Sequence, residues 1–162
     1  MKHSMVRILV FSDTHGRPQS ARRAIENIGE FSMVVHLGDS VRDALFLKDS
    51  YPNARHFMVR GNNDTFSAAP AELIIEQDDV RIFATHGHLY SVKSGLEKIK
   101  EAARKNNCRV ILFGHTHTPV CMETDGLLLL NPGGYNSFPN PHCGVLELKD
   151  GKAYGCLYEI RP

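Results

Sequence analysis

Short apolar runs alternate with helical patterns along the first half of the chain. Residues 5–11, 33–37 and 55–59 are rich in branched side chains and stop at polar loops, which is typical of buried strands. Between them, residues 18–29 and 43–51 place apolar side chains at helical spacing. This alternation predicts an α/β fold in which strands form the middle layers and helices lie outside.

The second half of the chain is richer in strands. Ser94 predicts the cap of a helix that ends at Lys105, with Glu97 as its capping-box partner. The connections between the later strands are too short for crossover helices, so we expect those strands to pair antiparallel in a second sheet. The strands are predicted at residues 72–77, 80–84, 108–113, 120–123, 127–130, 144–148 and 154–160.

Composition narrows the class of protein. The chain has 162 residues, 42% of them hydrophobic, which predicts one domain over residues 1–162. A net charge of +1 gives no field that attracts nucleic acid or an anionic membrane, and no apolar run approaches the ~18 residues of a membrane span. The N-terminus has no small-residue cleavage site and the four cysteines form no CxxC pair, so we expect reduced thiols in a cytoplasmic protein.

The unusual feature is nine histidines, most of which follow apolar runs. If the preceding strands share one sheet, their polar loops meet at one edge, where ligands bind in open α/β sheets. The loops carry Asp, His and Asn, donors that suit Mn, Fe, Co, Ni or Zn, and glycines that allow close approach of the backbone. These loops are residues 12–15, 38–39, 61–64, 85–88 and 114–117.

Seven donors in these loops are too many for one tetrahedral ion. They suit two ions roughly 3.5–4 Å apart that share a carboxylate, an arrangement used for in-line attack on phosphorus. The sequence therefore predicts a dinuclear metal site.

The order of the motifs resembles a known family. Asp-x-His, Gly-Asp, Gly-Asn-x-Asp, a Gly-His pair and Gly-His-x-His follow one another as in the calcineurin-like metallophosphoesterase superfamily. The short chain and the Gly-Asn-x-Asp motif are similar to its small YfcE-type phosphodiesterases. The resemblance implies a four-layered α/β/β/α sandwich with two packed mixed sheets. It also implies a phosphodiesterase that uses two divalent ions, manganese foremost, and a metal-bound hydroxide.

The resemblance also assigns ligands. One ion would be held by Asp13, His15, Asp39 and His117. The other would be held by Asp39 as the bridge together with Asn62, His86 and His115.

Catalytic roles are expected for three residues of these loops. His86 would steady charge on the phosphoryl group, and Asp64 would orient a ligand histidine or cap the next helix. Asn63 stands where larger phosphatases carry a proton-donating histidine, so we expect diesters with good leaving groups to be favoured. Relatives also carry an Arg after the turn that corresponds to residues 131–134. Residues 135–142 lack one, and His142 is a candidate replacement.

Other histidines and charged residues are expected to be structural. His36 lies inside a strand and is predicted to be a satisfied core residue, His88 a residue at the rim of the site, and His3 and His56 surface residues. The charges of residues 93–104 are expected to form the solvated face of a helix.

Two other functions are open at this stage. One is a protein-binding scaffold like the retromer subunit that shares this fold, with a vestigial metal site. The other is a metal-dependent nuclease, although the neutral charge balance makes nucleic acid an unlikely partner. The expected substrate is a small phosphoester without a membrane partner, and a homo-oligomer is left open.

Overall fold

The computed structural model describes residues 4–162, so His3 lies outside the described residues. The elements are β1 (Val6–Phe11), α1 (Gln19–Ile28), β2 (Met33–His36), α2 (Val41–Ser50), β3 (Arg55–Met58), β4 (Glu72–Gln77), β5 (Val80–Thr85), a 3-10 turn (His88–Tyr90), α3 (Glu97–Lys105), β6 (Val110–Leu112), β7 (Val120–Thr124), β8 (Leu127–Asn131), β9 (His142–Lys149) and β10 (Lys152–Glu159). Almost every predicted element is present within a few residues of its expected position.

The strands form two five-stranded mixed sheets. The first has the order β10-β9-β1-β2-β3, and the second has the order β4-β5-β6-β8-β7. Strands β1, β2 and β3 are parallel, as are β5, β6 and β8. The antiparallel pairs are β1 with β9, β9 with β10, β4 with β5 and β7 with β8.

Alternation of side chains along the strands builds the layers. In β1, Ile8 and Val10 enter the core between the two sheets, whereas Leu9 packs against α1 and α2. In β6, Val110 enters the same inter-sheet core, whereas Ile111 packs toward α3. Because both faces of these strands are buried, their sequences are continuous apolar runs. The predicted α/β/β/α sandwich is confirmed.

The predicted pairing of the later strands is wrong in two respects. Strands β5, β6 and β8 are parallel, because α3 and then β7 serve as the crossover connections that the sequence interpretation missed. Strands β9 and β10 do not join the second sheet. They extend the first, where Val6 pairs with Leu148 and Val10 with Gly144 along β1.

Helix α3 departs from its predicted start, while the charged residues from 93 to 104 are solvent-exposed as predicted, with the exception of Lys100. It begins at Glu97 after Leu96, and no side chain in the described part of the chain caps it. The backbone turns Ser94 N–H back onto Ser91 O, and the Glu97 carboxylate pairs with Lys100 instead. Lys100 is buried, and its ammonium also lies 3.6 Å from the Asp125 carboxylate.

His36 is a satisfied core histidine, as predicted. Its Nε2 lies 2.9 Å from Thr14 Oγ1, and its Nδ1 accepts the Gly38 N–H at 3.1 Å. Burial lowers the pKa of His36 to about 4, with Asp43 and Asp13 acting in the opposite direction. None of the helices in residues 4–162 has the length and apolarity needed to cross a bilayer.

We predict that His36 makes stability depend on pH. Its folded pKa lies below the unfolded value of 6.5, so stability present above pH 6.5 is lost as the pH falls toward 4. Between pH 7 and pH 5, the free energy of unfolding of metal-free wild type should fall by about 2 kcal/mol more than that of His36→Gln. Urea denaturation at both pH values measures this difference. Equal losses in the two proteins would show that His36 is not responsible.

Candidate metal centre

Five loops from both sheets converge at one place. Those after β1, β2 and β3 leave the first sheet, and those after β5 and β6 leave the second. The expectation that a single sheet edge collects them is wrong, because the two sheets pack face to face with these strand ends on the same side. Backbone contacts join the loops: Asp13 N donates to Gly38 O, and Gly114 N donates to His86 O, both at 2.9 Å.

Glycines allow this convergence at two positions in particular. A Cβ on Gly61 would lie 2.0 Å from Asp39 Oδ1, and one on Gly114 would lie 2.0 Å from Ser12 Oγ. Any larger residue would displace the carboxylates of the site. The expectation that glycine permits close approach here is confirmed.

Two overlapping groups of side chains could hold metal ions. Asp13, His15 and His117 form one group, and Asp13, Asp39 and His86 form the other, with the possible ligand atoms of each group within 4.8 Å of one another. Asp13 Oδ1 lies 3.1 Å from His117 Nε2 and 3.8 Å from His86 Nε2. Asp39 Oδ2 lies 3.5 Å from His86 Nε2 and 3.9 Å from His15 Nε2. Both carboxylates therefore lie between the two sets of imidazoles.

The hydrogen bonds of the outer ring nitrogens leave lone pairs facing the centre. His86 Nδ1 donates to Leu37 O at 2.7 Å, because a carbonyl can only accept. The tautomer that carries its proton on Nδ1 has a lone pair on Nε2, which lies 3.1 Å from Asn62 Oδ1. His117 Nδ1 contacts Asn136 Oδ1 at 2.8 Å and leaves Nε2 toward Asp13 in the same way. These polar partners orient the imidazoles as is usual around metals.

Asp13 Oδ1 is the clearest sign that a cation belongs in this site. Asp13 is fully buried, and this oxygen has no hydrogen-bond partner among the described residues. Its other oxygen is engaged, by Ser12 Oγ at 2.5 Å and His115 N at 3.0 Å. A buried carboxylate oxygen facing imidazole lone pairs is costly unless a positive charge lies between them, so the residues present fit divalent ions.

Asn63 and Asp64 hold the second carboxylate in place. Asp39 accepts hydrogen bonds from Asn63 N at 3.0 Å and Asn63 Nδ2 at 2.7 Å. Burial acts to raise the pKa of Asp39, but these bonds and the nearby His86 outweigh it and lower that pKa. Asp64 accepts from the backbone N–H groups of Asp39, Gly61 and Val41. It thus caps the preceding helix α2 rather than the next one, and its hydrogen bonds are to backbone rather than to a histidine.

The remaining histidines of the loops form a cluster beside His86. The ring centroid of His115 lies 5.1 Å from that of His86, and the ring of His88 lies 5.4 Å from it. Burial, followed by the neighbouring His86, lowers the pKa values of both His115 and His88, which favours neutral rings able to bind metal. In the described part of the chain, the three-residue groups include neither of them.

His142 lies apart from this cluster. It is the first residue of β9 and pairs in register with Glu159 of β10. The structure gives no contact between His142 and the candidate ligands.

The backbone of the site is strained. Five of the seven candidate ligands have φ values between 46° and 67°, a left-handed conformation that costs about 1–3 kcal/mol for a residue other than glycine. They are Asp13, His15, Asp39, His115 and His117. Strain of this kind concentrates at functional sites.

The sequence interpretation missed the residues that orient the ligands. Asn136 contacts His117, while Asn131 Nδ2 donates to Gly114 O at 3.1 Å and to Thr116 Oγ1 at 3.0 Å. Ser12 is the first residue of the first polar loop, and its position in the sequence indicates no role for it. The only signal for Asn131 in the sequence is the Pro-Gly-Gly turn that follows it. That signal predicts a turn and not a hydrogen bond to the loop of residues 114–117.

Comparison with known proteins identifies the family. The model of the calcineurin-like phosphoesterase superfamily domain matches residues 6–151. The chain belongs to this superfamily. It is 31% identical to phosphodiesterase MJ0936 of Methanocaldococcus jannaschii, over 88% of this chain and 93% of that protein. It is 29% identical to phosphodiesterase YfcE of Escherichia coli, over 90% of this chain and 94% of that protein. The predicted YfcE-type resemblance is confirmed, and the chain is a hydrolase of phosphoesters.

Solved structures show the same architecture. A conserved Streptococcus pneumoniae protein whose sequence predicts a phosphoesterase superposes with a TM-score of 0.80 and 26% identity, covering 99% of this chain and 95% of that one. Vps29 of Entamoeba histolytica complexed with Zn²⁺ superposes with a TM-score of 0.69 and 21% identity, covering 96% of this chain and all of that one. At that identity Vps29 shares the fold alone with this phosphoesterase.

We predict that Asp64 supports metal binding through the backbone. Asp64→Ala leaves three backbone N–H groups without their acceptor and should lower the free energy of unfolding by about 3 kcal/mol. It should also weaken metal binding, because the backbone of Asp39 is no longer held. Asp64→Asn keeps one acceptor oxygen and should fall between wild type and Asp64→Ala. Calorimetric metal titration and urea denaturation measure both effects; wild-type metal affinity in Asp64→Ala would contradict this role.

Proposed function

We propose that this protein is a phosphodiesterase whose site holds two divalent metal ions, with manganese as the principal candidate and Ni, Fe, Co or Zn as alternatives. The observation that carries the proposal is the convergence of imidazole nitrogens on the buried Asp13 Oδ1, which has no hydrogen-bond partner among the described residues. Relatives named phosphodiesterases, matched over most of their length, support the same activity.

The ligand assignment follows the two groups of side chains. One ion would be held by Asp13, His15 and His117. Asp39 would add its Oδ2, which lies 3.9 Å from His15 Nε2. His86 and Asn62 would hold the second ion together with Asp39. His115 joins this set as a proposal that rests on the family resemblance and on its position beside His86.

The bound ions would lower the pKa of a water between them and withdraw charge from the phosphoryl oxygens. The chain's own residues supply orientation. Leu37 O keeps the His86 ring fixed, and Asn136 does the same for His117, so neither imidazole has to rotate during turnover. Asn63 donates its amide N–H to Asp39 Oδ2 and has no proton to release to a leaving oxygen. Departure without acid assistance favours esters whose leaving groups are weakly basic.

The scaffold alternative is tested by activity rather than by metal content, since a Vps29 is itself known in complex with Zn²⁺. The two overlapping groups of donors and their strained, hydrogen-bonded backbone favour catalysis. The nuclease alternative has no support from charge, because Lys and Arg outnumber Asp and Glu by one. The proposed substrate is a small phosphodiester, and the proposed location of the protein is the cytoplasm.

We predict close to two transition-metal ions per chain after reconstitution of the purified protein. Asp39→Ala should lose most of both, since Asp39 Oδ2 faces His15 on one side and His86 on the other. Asp49→Ala, which removes an exposed carboxylate from α2, is the control and should retain both. Elemental analysis gives the metal content, and hydrolysis of bis(4-nitrophenyl) phosphate gives the activity. Full metal content with no phosphoesterase activity in wild type would support the scaffold instead.

We predict that Asn63→His broadens the range of leaving groups. General acid assistance contributes about 10²–10⁴-fold for poor leaving groups and little for good ones. The variant should therefore hydrolyse alkyl phosphomonoesters faster than wild type while its rates on activated aryl diesters change little. Steady-state kinetics on both substrate types measures the difference. Wild type that cleaves alkyl monoesters as fast as aryl diesters would reveal another acid, and His88 and His142 would be tested next.

A further inference from the structure

A groove leads away from the metal centre. It has a volume of about 610 Å³ and lies between the start of α2 and residues 63–68. His15, Asp39 and Asn63 line its inner end, so it opens directly onto the proposed metal ligands. Anything bound through a phosphate at the centre can extend its organic part into this groove.

The outer end of the groove is apolar. Leu45 and Phe66 line it, and their exposed fractions are 47% and 102%. A single exposed apolar side chain is ordinary, but Leu45 from α2 and Phe66 from residues 63–68 line one groove that opens onto the candidate metal ligands, and together they form a binding surface. The Phe66 side chain is fully exposed, so binding would break no packing of this ring against the described residues.

The loop that carries Phe66 is held in place by its backbone. Asp64 N donates to Gly61 O at 3.2 Å, and Ser67 N donates to Asp64 O at 3.0 Å. Arg60 adds two contacts to the same loop, from its N–H to Pro70 O and from its guanidinium to Ala69 O, both at 2.9 Å. Ordering of the loop therefore adds little entropic cost to binding.

The charged side chains that line the groove indicate which chemical class of ligand it can bind. Arg42 is the only arginine or lysine that lines it among the described residues, and the Asp64 carboxylate is taken up by three backbone N–H groups. The groove thus offers apolar surface with one positive charge. It suits an uncharged or anionic organic group with a flat apolar face and disfavours a cationic one.

We propose that this groove binds an aromatic ester group of the phosphodiester substrate, with Phe66 and Leu45 packing against the ring. The proposal rests on the proposed phosphodiesterase function, because the phosphate must bind at the metal centre for its ester group to reach the groove. Phe66 and Leu45 are then specificity-determining residues. They select diesters that carry an aromatic group over diesters with small alkyl groups.

The test compares two ligands that differ only in their ester groups. Diphenyl phosphate and dimethyl phosphate are titrated by calorimetry into manganese-loaded wild type, Phe66→Ala and Leu45→Ala. Phe66→Ala should weaken binding of diphenyl phosphate about tenfold, the loss expected from roughly 50 Å² of apolar contact, and should leave dimethyl phosphate unchanged. Leu45→Ala should act in the same direction with a smaller loss.

The matched control is Phe138→Ala. Phe138 is exposed to a similar extent, 93%, but does not line the groove, so its removal should change the binding of neither ligand. In steady-state kinetics with bis(4-nitrophenyl) phosphate, Phe66→Ala should raise KM about tenfold and leave kcat unchanged. The reason is that the ring contact is made equally in the bound substrate and in the transition state.

The outcomes separate the two proposals. If wild type binds neither phosphate, the proposed function is wrong. If it binds both, and Phe66→Ala retains wild-type affinity for diphenyl phosphate, the groove proposal is wrong while the function stands. Equal losses in Phe66→Ala and Phe138→Ala would also overturn the groove proposal, because they would place the ring elsewhere.

Discussion

The structure is organised around the buried carboxylate oxygen Asp13 Oδ1, which faces the Nε2 atoms of His86 and His117 and has no hydrogen-bond partner among the described residues. The imidazoles that face it are oriented by contacts on their far sides, from Leu37 O to His86 and from Asn136 to His117. Without a bound cation, burial of this unpartnered carboxylate oxygen would destabilise the folded protein. Divalent cations would supply the positive charge that this buried oxygen lacks. The geometry of the site and its proposed chemistry therefore have the same cause.

The fold makes this convergence possible. Parallel strands in each sheet end on the same side, and packing the sheets face to face brings loops from both to one place. Gly61 and Gly114 then allow the backbones to approach until the carboxylates touch the neighbouring loop. The left-handed φ values of most candidate ligands add strain of about 1–3 kcal/mol each. The large inter-sheet core and the two outer helix-facing cores provide the stability that sustains it.

The same architecture occurs in proteins with different names, since Vps29 of Entamoeba histolytica superposes on this chain with a TM-score of 0.69 and the Streptococcus pneumoniae protein with one of 0.80. The fold alone therefore does not distinguish an enzyme from a scaffold. Function lies in what the loops add to it. Here they add two overlapping groups of carboxylate and imidazole side chains, an asparagine that donates to Asp39, and a groove that opens onto these residues.

The order of apolar runs and polar loops determined the layers, the family and the candidate ligands, because strand periodicity and the residue types after each strand are local properties. Sheet membership was decided only by tertiary pairing: β9 and β10 extend the first sheet through contacts with β1, more than 130 positions away in the chain. Tertiary structure likewise decided the roles of Asp64, Asn131 and Asn136. Each contacts a group brought near by the fold, and no spacing in the sequence specifies which backbone N–H or imidazole that will be.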